Sequence, residues 1–170
     1  MSKNWKALRQ KYPKFTFDSY SWKRRDDNLA LEFMYSIPPD HKFTHRISIE
    51  NFPKKPGPTE FKNFIFHIGL ALMPSYWKAT CSPTVEIRAG YLTSQQIAFW
   101  HKLFIKGMGE FFYQNKIDFT SPGFLKVTAS GPKLKKTKLN TNKSVLIPIG
   151  GGKDSLVTLE LLKPHFVTTG

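Results

Sequence analysis

The stretch that most constrains this chain is Ser144–Leu162, SVLIPIGGGKDSLVTLELL. An apolar run from Val145 to Ile149 ends at three consecutive glycines, and a leucine-rich helical pattern follows them. This order predicts a strand, a glycine loop and a helix. Glycines let a backbone approach an anion closely, and the first amides of a helix have no partner within the helix. The stretch therefore predicts a binding site for a phosphate or a pyrophosphate.

Two phosphate-binding motifs can be compared with this loop. The Walker A motif needs a glycine where this chain has Ile147 and a hydroxyl residue where it has Asp154, so it fails twice. The PP-loop of ATP pyrophosphatases, SGGxDS, binds the pyrophosphate of an ATP cleaved between its α and β phosphates, and this loop resembles it. The matching residues are Gly151, Gly152, Asp154 and Ser155. Gly150 stands where the motif usually has Ser, and a glycine-rich turn without a ligand is the alternative interpretation.

The composition of the chain limits the kind of fold and the kinds of partner that it can have. The chain has 170 residues, of which 40% are hydrophobic, so it is long and apolar enough to bury a core. Its formal charge of +14 suits either a nucleic acid or anionic small molecules. The single cysteine, Cys81, excludes an internal disulfide and is typical of a reducing cytoplasm. No signal peptide or long apolar run is visible, so we expect no membrane partner.

The first part of the chain predicts an α+β domain. Lys14–Glu50 alternates apolar and polar residues in three runs, which predicts an antiparallel sheet. Apolar residues at helical spacing predict a long helix capped by Thr59, and a capping-box pattern at Thr93 and Gln96 predicts a second long helix. A short strand is expected between the helices, over Thr84–Arg88. The predicted fold is an antiparallel sheet with two long helices.

The composition then changes and indicates a domain boundary. We predict an N-terminal α+β domain over residues 1–130, a basic linker over 131–143, and the beginning of an α/β PP-loop nucleotide-binding domain over 144–170. A second strand is expected at His165–Thr169. Because a parallel sheet covered on both faces needs more than two strands, we expect this chain to be the front part of a longer protein.

Two side chains of the first domain are candidates for chemistry. Lys78 follows Tyr76 and Trp77, and there it can be a desolvated base, a clamp for a carboxylate, or a surface lysine lying over packed rings. Glu110 is a carboxylate in an apolar segment, so it is either paired or functional.

Three segments in order resemble one enzyme family. SYWKA at Ser75–Ala79, GMGEFFYQN at Gly107–Asn115 and IPIGGGKDS at Ile147–Ser155 are together similar to the UDP-N-acetylmuramoyl-L-alanyl-L-glutamate epimerase family. The resemblance implies a cytoplasmic step of peptidoglycan synthesis on a nucleotide-sugar peptide. ATP and Mg²⁺ would activate the terminal L-glutamate, and its stereocentre would then be inverted.

The resemblance also implies roles for individual residues. Gly150, Gly151, Gly152 and Ser155 would hold pyrophosphate, Asp154 would cap the helix or order the loop and Mg²⁺, and Lys153 would lie near phosphate or point outward. Lys78 and Glu110 would bind substrate or transfer protons. The remaining sheet and the adenine pocket would lie beyond Gly170, so we expect these 170 residues alone to be inactive.

Two other functions compete with this one. Another PP-loop enzyme, such as a tRNA-modifying adenylating enzyme, would use the positive charge to hold RNA. A binding module with a degenerate loop would catalyse nothing. Neither alternative accounts for SYWKA and GMGEF together, so a nucleic-acid partner is not expected. The sequence leaves the oligomeric state open.

Overall fold

The computed structural model describes residues 5–53, 61–135 and 144–169. The chain divides into two compact units, Met1–Thr137 and Lys138–Gly170. The elements of the first unit are, in chain order, α1 (Trp5–Lys11), β1 (Lys14–Arg25), β2 (Asn28–Ile37), β3 (His41–Ile49), α2 (Lys62–Trp77), β4 (Thr84–Ile87), α3 (Ser94–Gly107), α4 (Gly109–Gln114) and β5 (Lys126–Ala129).

The sheet of the first unit is mixed, and the prediction of a purely antiparallel sheet was wrong. Its order is β3-β2-β1-β4-β5. The three N-terminal strands pair antiparallel, as predicted, but β4 pairs in parallel with both β1 and β5. A parallel pair needs a long connection, which here passes through the helices. Each of β4 and β5 has four residues, and such short runs give little periodic signal.

The core lies between this sheet and the helices. Along β2, Leu29, Leu31 and Phe33 are buried and alternate with more exposed residues, because successive side chains of a strand point to opposite faces. Helix α2 packs on β1 and β2, and α3 packs on β5. The predicted α+β architecture of the first unit is therefore confirmed in its sheet-and-helix plan.

Helix α2 approaches the sheet most closely at Gly69. A Cβ atom at that position would lie 2.4 Å from Cζ of Phe17 and 2.8 Å from Cδ1 of Phe33. Both rings are fully buried. The hydroxyl of Tyr35 donates a hydrogen bond of 2.8 Å to the Gly69 carbonyl oxygen. Only a residue without a side chain fits between α2 and the two strands.

The two predicted long helices are present, and the second of them is divided into α3 and α4. Helix α2 runs through Pro74 to Trp77, and its predicted cap, Thr59, lies outside the described residues. The capping box of α3 is present as predicted, and in it the Thr93 hydroxyl accepts a hydrogen bond from the backbone N–H of Gln96. The predicted continuous second helix is interrupted at Met108, so that α3 ends and α4 begins there. Glycines on either side of Met108 lower the helix propensity and favour this break.

The first residues of the predicted basic linker form backbone hydrogen bonds with the rest of the first unit. Ser130 donates its backbone N–H to Ile87 O at 2.9 Å, and Tyr91 donates its backbone N–H to Pro132 O at 3.0 Å. A Cβ at Gly131 would lie 2.2 Å from the Arg88 carbonyl oxygen, so two backbone segments cross in contact there. The predicted linker over 131–143 is thus anchored at its beginning; residues 136–143 lie outside the described part of the chain.

The second unit contains a strand, a loop, a helix and a second strand. Strand β6 (Ser144–Leu146) leads through the glycine loop into helix α5 (Lys153–Leu162), and β7 (Val167–Thr169) pairs in parallel with β6. The predicted order of strand, glycine loop and helix is present. Within the described residues of this unit several apolar side chains are more than half exposed, including Leu146 and Leu161. The assignment of this unit to a PP-loop domain stays a prediction.

Candidate functional site

Lys78 lies at the C-terminal end of α2, beside a small cavity. Helix α2 ends at Trp77, whose indole N–H donates to Ser82 O at 2.8 Å, and Cys81 donates its backbone N–H to Trp77 O at 2.8 Å. Cys81 has a positive φ of 53°, so the chain turns back sharply after the helix. This turn holds Lys78 at the surface, where its ammonium has no hydrogen-bond or ion-pair partner among the described residues.

The cavity beside Lys78 joins two of the three segments that the sequence singled out. It has a volume of about 170 Å³, and Lys78, Cys81, Phe111 and Asn115 contribute to its lining. Helix α4 carries Phe111, which lies 6.2 Å from Trp77 between ring centroids. SYWKA and GMGEFFYQN therefore meet at this cavity, which we call the Lys78 cavity.

Glu110 is not part of the Lys78 cavity lining. It is exposed in the first turn of α4, where a carboxylate interacts favourably with the positive end of a helix. It has no hydrogen-bond or ion-pair partner among the described residues. The structure thus places both candidates on one unit, but only Lys78 lines this cavity.

Sequence reasoning missed the polar groups that surround Cys81. Arg9 of α1 donates to the Cys81 carbonyl oxygen, and its guanidinium lies 3.6 Å from the thiol sulfur. Burial raises the pKa of the Cys81 thiol, and the Arg9 charge opposes that shift only in part. The thiol is therefore protonated at neutral pH. Arg9 and Cys81 are 72 residues apart, so no local pattern could have paired them.

The glycine loop of the second unit has an open backbone. Gly151 has a φ of +78°, which favours glycine, and Gly152 is the extended N-cap residue of α5 with no side-chain hydrogen bond to the helix. Cβ atoms built on Gly150, Gly151 or Gly152 would meet no atom of the described residues within 4 Å. The first amides of α5 are thus uncapped by a side chain beside open space.

The polar residues after the loop differ in what they contact. Ser155 donates its hydroxyl to Gly152 O at 2.7 Å, so this hydroxyl must turn away from the loop before it can donate to a phosphate. Lys153 and Asp154 are exposed in the first turn of α5. Uncapped helix amides, glycines and a neighbouring cation are features that bind anions, and the assignment of pyrophosphate to this loop stays a prediction.

A magnesium site at Asp154 stays a prediction. In the described parts of the chain no three His, Cys, Asp or Glu side chains come together as a metal site. Mg²⁺ commonly binds through one or two carboxylates together with substrate phosphates, and the single carboxylate of Asp154 fits that donor set.

No helix within the described ranges has the length and apolar content needed to cross a membrane.

Comparison with known proteins places the chain in a family. The enzyme named UDP-N-acetyl-alpha-D-muramoyl-L-alanyl-L-glutamate epimerase from Xanthomonas oryzae pv. oryzae (strain MAFF 311018) is 34% identical over 95 residues. The match covers 52% of this chain and 20% of the relative, so the chain matches about a fifth of that protein's length. No solved structure matches. The family described as the MurL N-terminal domain matches residues 6–169, and the chain belongs to this family.

Proposed function

We propose that this chain is part of an ATP-dependent epimerase that inverts the terminal L-glutamate of UDP-N-acetylmuramoyl-L-alanyl-L-glutamate. The observation that carries the proposal is the family match over residues 6–169, together with the name of the 34% identical relative. The open glycine loop and the meeting of SYWKA with GMGEFFYQN support it. The reaction would be a cytoplasmic step in the synthesis of peptidoglycan precursors.

The charge of the substrate explains why such a reaction consumes ATP. A carboxylate is already negative, so removing the proton from the carbon beside it creates a second negative charge on adjacent atoms. If a carboxylate oxygen instead bonds to the α-phosphorus of ATP, pyrophosphate leaves and an acyl adenylate forms. The neighbouring carbon then loses its proton more easily. Water finally cleaves the mixed anhydride, which releases AMP and restores the carboxylate.

The glycine loop is the proposed site for the leaving pyrophosphate. Gly150, Gly151 and Gly152 would offer backbone amides, and Ser155 would donate its hydroxyl after releasing Gly152 O. Lys153 would lie near the phosphates, and Asp154 would order the loop or hold Mg²⁺. The bound metal ion would neutralise phosphate charge. Each charge-assisted hydrogen bond contributes about 1.5 to 3 kcal/mol, so several are needed to hold the nucleotide.

Inversion requires that a proton leave one face of the carbon and that a proton return to the other. This needs two groups, or one group and water. At the Lys78 cavity, Lys78 is proposed either to transfer a proton or to bind the glutamate carboxylate that is not adenylated. Glu110 is proposed as a further proton-transfer or binding group. The protonated thiol of Cys81 has no proposed role in proton removal.

The test of this function is an assay of the protein in its natural full length. It would be incubated with ATP, Mg²⁺ and UDP-N-acetylmuramoyl-L-alanyl-L-glutamate, while AMP, pyrophosphate and the chirality of the terminal glutamate, determined after hydrolysis of the product, are measured together. AMP formation that depends on the substrate, with D-glutamate as product, is expected. AMP and pyrophosphate without inversion would contradict the epimerase proposal and favour a different adenylated substrate such as tRNA.

Replacing Lys78 tests its role at the cavity. We expect Lys78→Met to lower kcat/KM for epimerisation about 100-fold, the size of a lost general acid or base. Its stability should change by less than about 0.5 kcal/mol, because the side chain is exposed. Lys102→Met, an exposed lysine of α3, is the matched control. Recovery of activity in Lys78→Arg would indicate a clamp, and unchanged kinetics in Lys78→Met would exclude both roles.

A further inference from the structure

A second and larger cavity lies in the first unit, away from the Lys78 cavity. Its volume is about 700 Å³, within the range of small-molecule sites. It lies between α2, the loop after β4, the first turn of α3 and the segment 131–135, and it shares no lining residue with the Lys78 cavity. Its polar lining includes Asn63, His67, Tyr91, Gln95, Gln96 and Lys133. We call it the Lys133 cleft.

The charge of the Lys133 cleft selects an anion. Among the described residues that line it, Lys133 is cationic and none is Asp or Glu. No carboxylate in the described part of the chain forms an ion pair with Lys133. A lysine without a carboxylate partner beside a cavity attracts a phosphate or carboxylate ligand.

The backbone holds Lys133 in place before any ligand arrives. Tyr91 donates its N–H to Pro132 O, and Asn63 donates its side-chain N–H to Lys135 O at 2.8 Å. The contact of Gly131 with the Arg88 carbonyl fixes the chain just before these bonds. The Lys133 ammonium lies 5.2 Å from the centroid of the Tyr91 ring. Because these contacts order the segment already, binding a ligand would cost less conformational entropy.

The cleft also offers one hydrogen-bond acceptor and one donor of defined kind. The His67 Nδ1 lies 2.7 Å from Asn63 O, and a carbonyl only accepts, so Nδ1 carries a proton; in a neutral imidazole with that proton, Nε2 is the acceptor. Gln96 accepts the Thr93 backbone N–H with its Oε1, which leaves its amide NH₂ as a donor. Neither of these remaining groups has a hydrogen-bond partner among the residues described.

We propose that the Lys133 cleft binds the uridine diphosphate end of the nucleotide-sugar substrate. This inference rests on the proposed function, which supplies a ligand with that group. Uracil carries an N–H donor beside carbonyl acceptors, which complements His67 and Gln96 in kind. Lys133 binds the diphosphate. The Lys78 cavity and the glycine loop are left for the peptide end and for ATP.

Direct binding measurements test this site without turnover. UDP is titrated into the full-length protein by calorimetry, with no ATP present. We expect Lys133→Met to weaken UDP binding about tenfold and to weaken uridine binding much less, because only UDP carries the diphosphate. Lys102→Met removes an equally exposed lysine from α3 and should bind UDP as the wild type does.

Base selectivity gives an independent readout. Cytosine has no N–H at the ring position where uracil donates, so the wild type should bind UDP more tightly than CDP. His67→Phe removes the acceptor and should reduce that preference, with the fold checked by circular dichroism. Equal binding of UDP by Lys133→Met and wild type, or no UDP binding by the wild type at millimolar concentration, would overturn the proposal.

The proposed epimerase reaction and the proposed uridine diphosphate site can be refuted independently of each other. A protein that binds UDP through Lys133 but inverts no glutamate would sink the proposed reaction and leave the cleft as a uridine diphosphate site. A protein that epimerises its substrate with the same KM in Lys133→Met would keep the reaction and refute the cleft.

Discussion

Gly69→Ala is expected to lower the free energy of unfolding by about 2 kcal/mol. The new methyl group would lie 2.4 Å from the Phe17 ring and 2.8 Å from the Phe33 ring, so α2 must move away from the sheet. That movement stretches the buried hydrogen bond from the Tyr35 hydroxyl to the Gly69 carbonyl. The loss exceeds the gain of up to about 1 kcal/mol that alanine brings to a helix interior. Urea unfolding followed by tryptophan fluorescence measures the change.

The same substitution at Gly107 is the matched control. A Cβ there meets no atom within 4 Å, so Gly107→Ala should leave stability unchanged or raise it slightly. Opposite signs at the two glycines would attribute the loss to the close approach of α2. A Gly69→Ala variant as stable as the wild type would show that the two phenylalanine rings can shift without cost.

Gly152→Asp is expected to abolish ATP-dependent turnover while it preserves the fold. The position is extended and open, and Asp is a favoured N-cap residue, so α5 should be as stable as before or slightly more stable. The new carboxylate would accept hydrogen bonds from the amides proposed for pyrophosphate and would repel the phosphates. Losing two charge-assisted hydrogen bonds, at about 1.5 to 3 kcal/mol each, predicts a fall in kcat/KM of at least about 100-fold.

A neutral replacement separates charge from shape. Gly152→Asn caps the helix in the same way without a negative charge, so it should retain more activity than Gly152→Asp. Thermal unfolding of both variants checks that the fold is intact. Turnover at the wild-type rate in Gly152→Asp would remove the glycine loop from the reaction and with it the proposed pyrophosphate site.

Local patterns predicted the parts of the fold that depend on local physics. The alternation in β1 and β2, the capping box of Thr93 and the order of strand, glycine loop and helix were all readable from short windows. The β1–β2 turn is tight, because Asp26 adopts a positive φ of 51° between strands that end at Arg25 and begin at Asn28. Asp tolerates that conformation better than most residues.

Long-range pairing was not predictable in the same way. The parallel partners of β4 come from β1 and β5, far apart in the chain, and four-residue strands carry too little pattern to reveal them. Helix α2 contains Pro74 and continues for three residues beyond it. Trp77, fully buried, packs into the core from that last turn, so tertiary contacts outweigh the local cost of proline.

The candidate sites also differ in whether their residues are neighbours in the sequence or meet only in the fold. Motif matching found the glycine loop because its residues are contiguous, and it found Lys78 because aromatic residues flank it. It missed Arg9 and the Lys133 cleft, whose lining comes from segments that meet only in the fold. The basic segment suggested a free linker by composition, since its sequence gives no sign that Asn63 and Tyr91 hold residues 132 and 135 in place.

Strand β3 forms one edge of the five-stranded sheet, and this position bears on aggregation. In the described residues β3 pairs with β2 alone, so its other side offers backbone groups to which a strand from another molecule can add. The exposed positions of β3 include Lys42 and Arg46. A second copy aligned on this edge would add a second Lys42 cation to the same sheet, whereas the Arg46 charge is already paired with Glu32 at 2.7 Å. The repulsion disfavours strand addition most at low ionic strength, so added salt should increase self-association through β3.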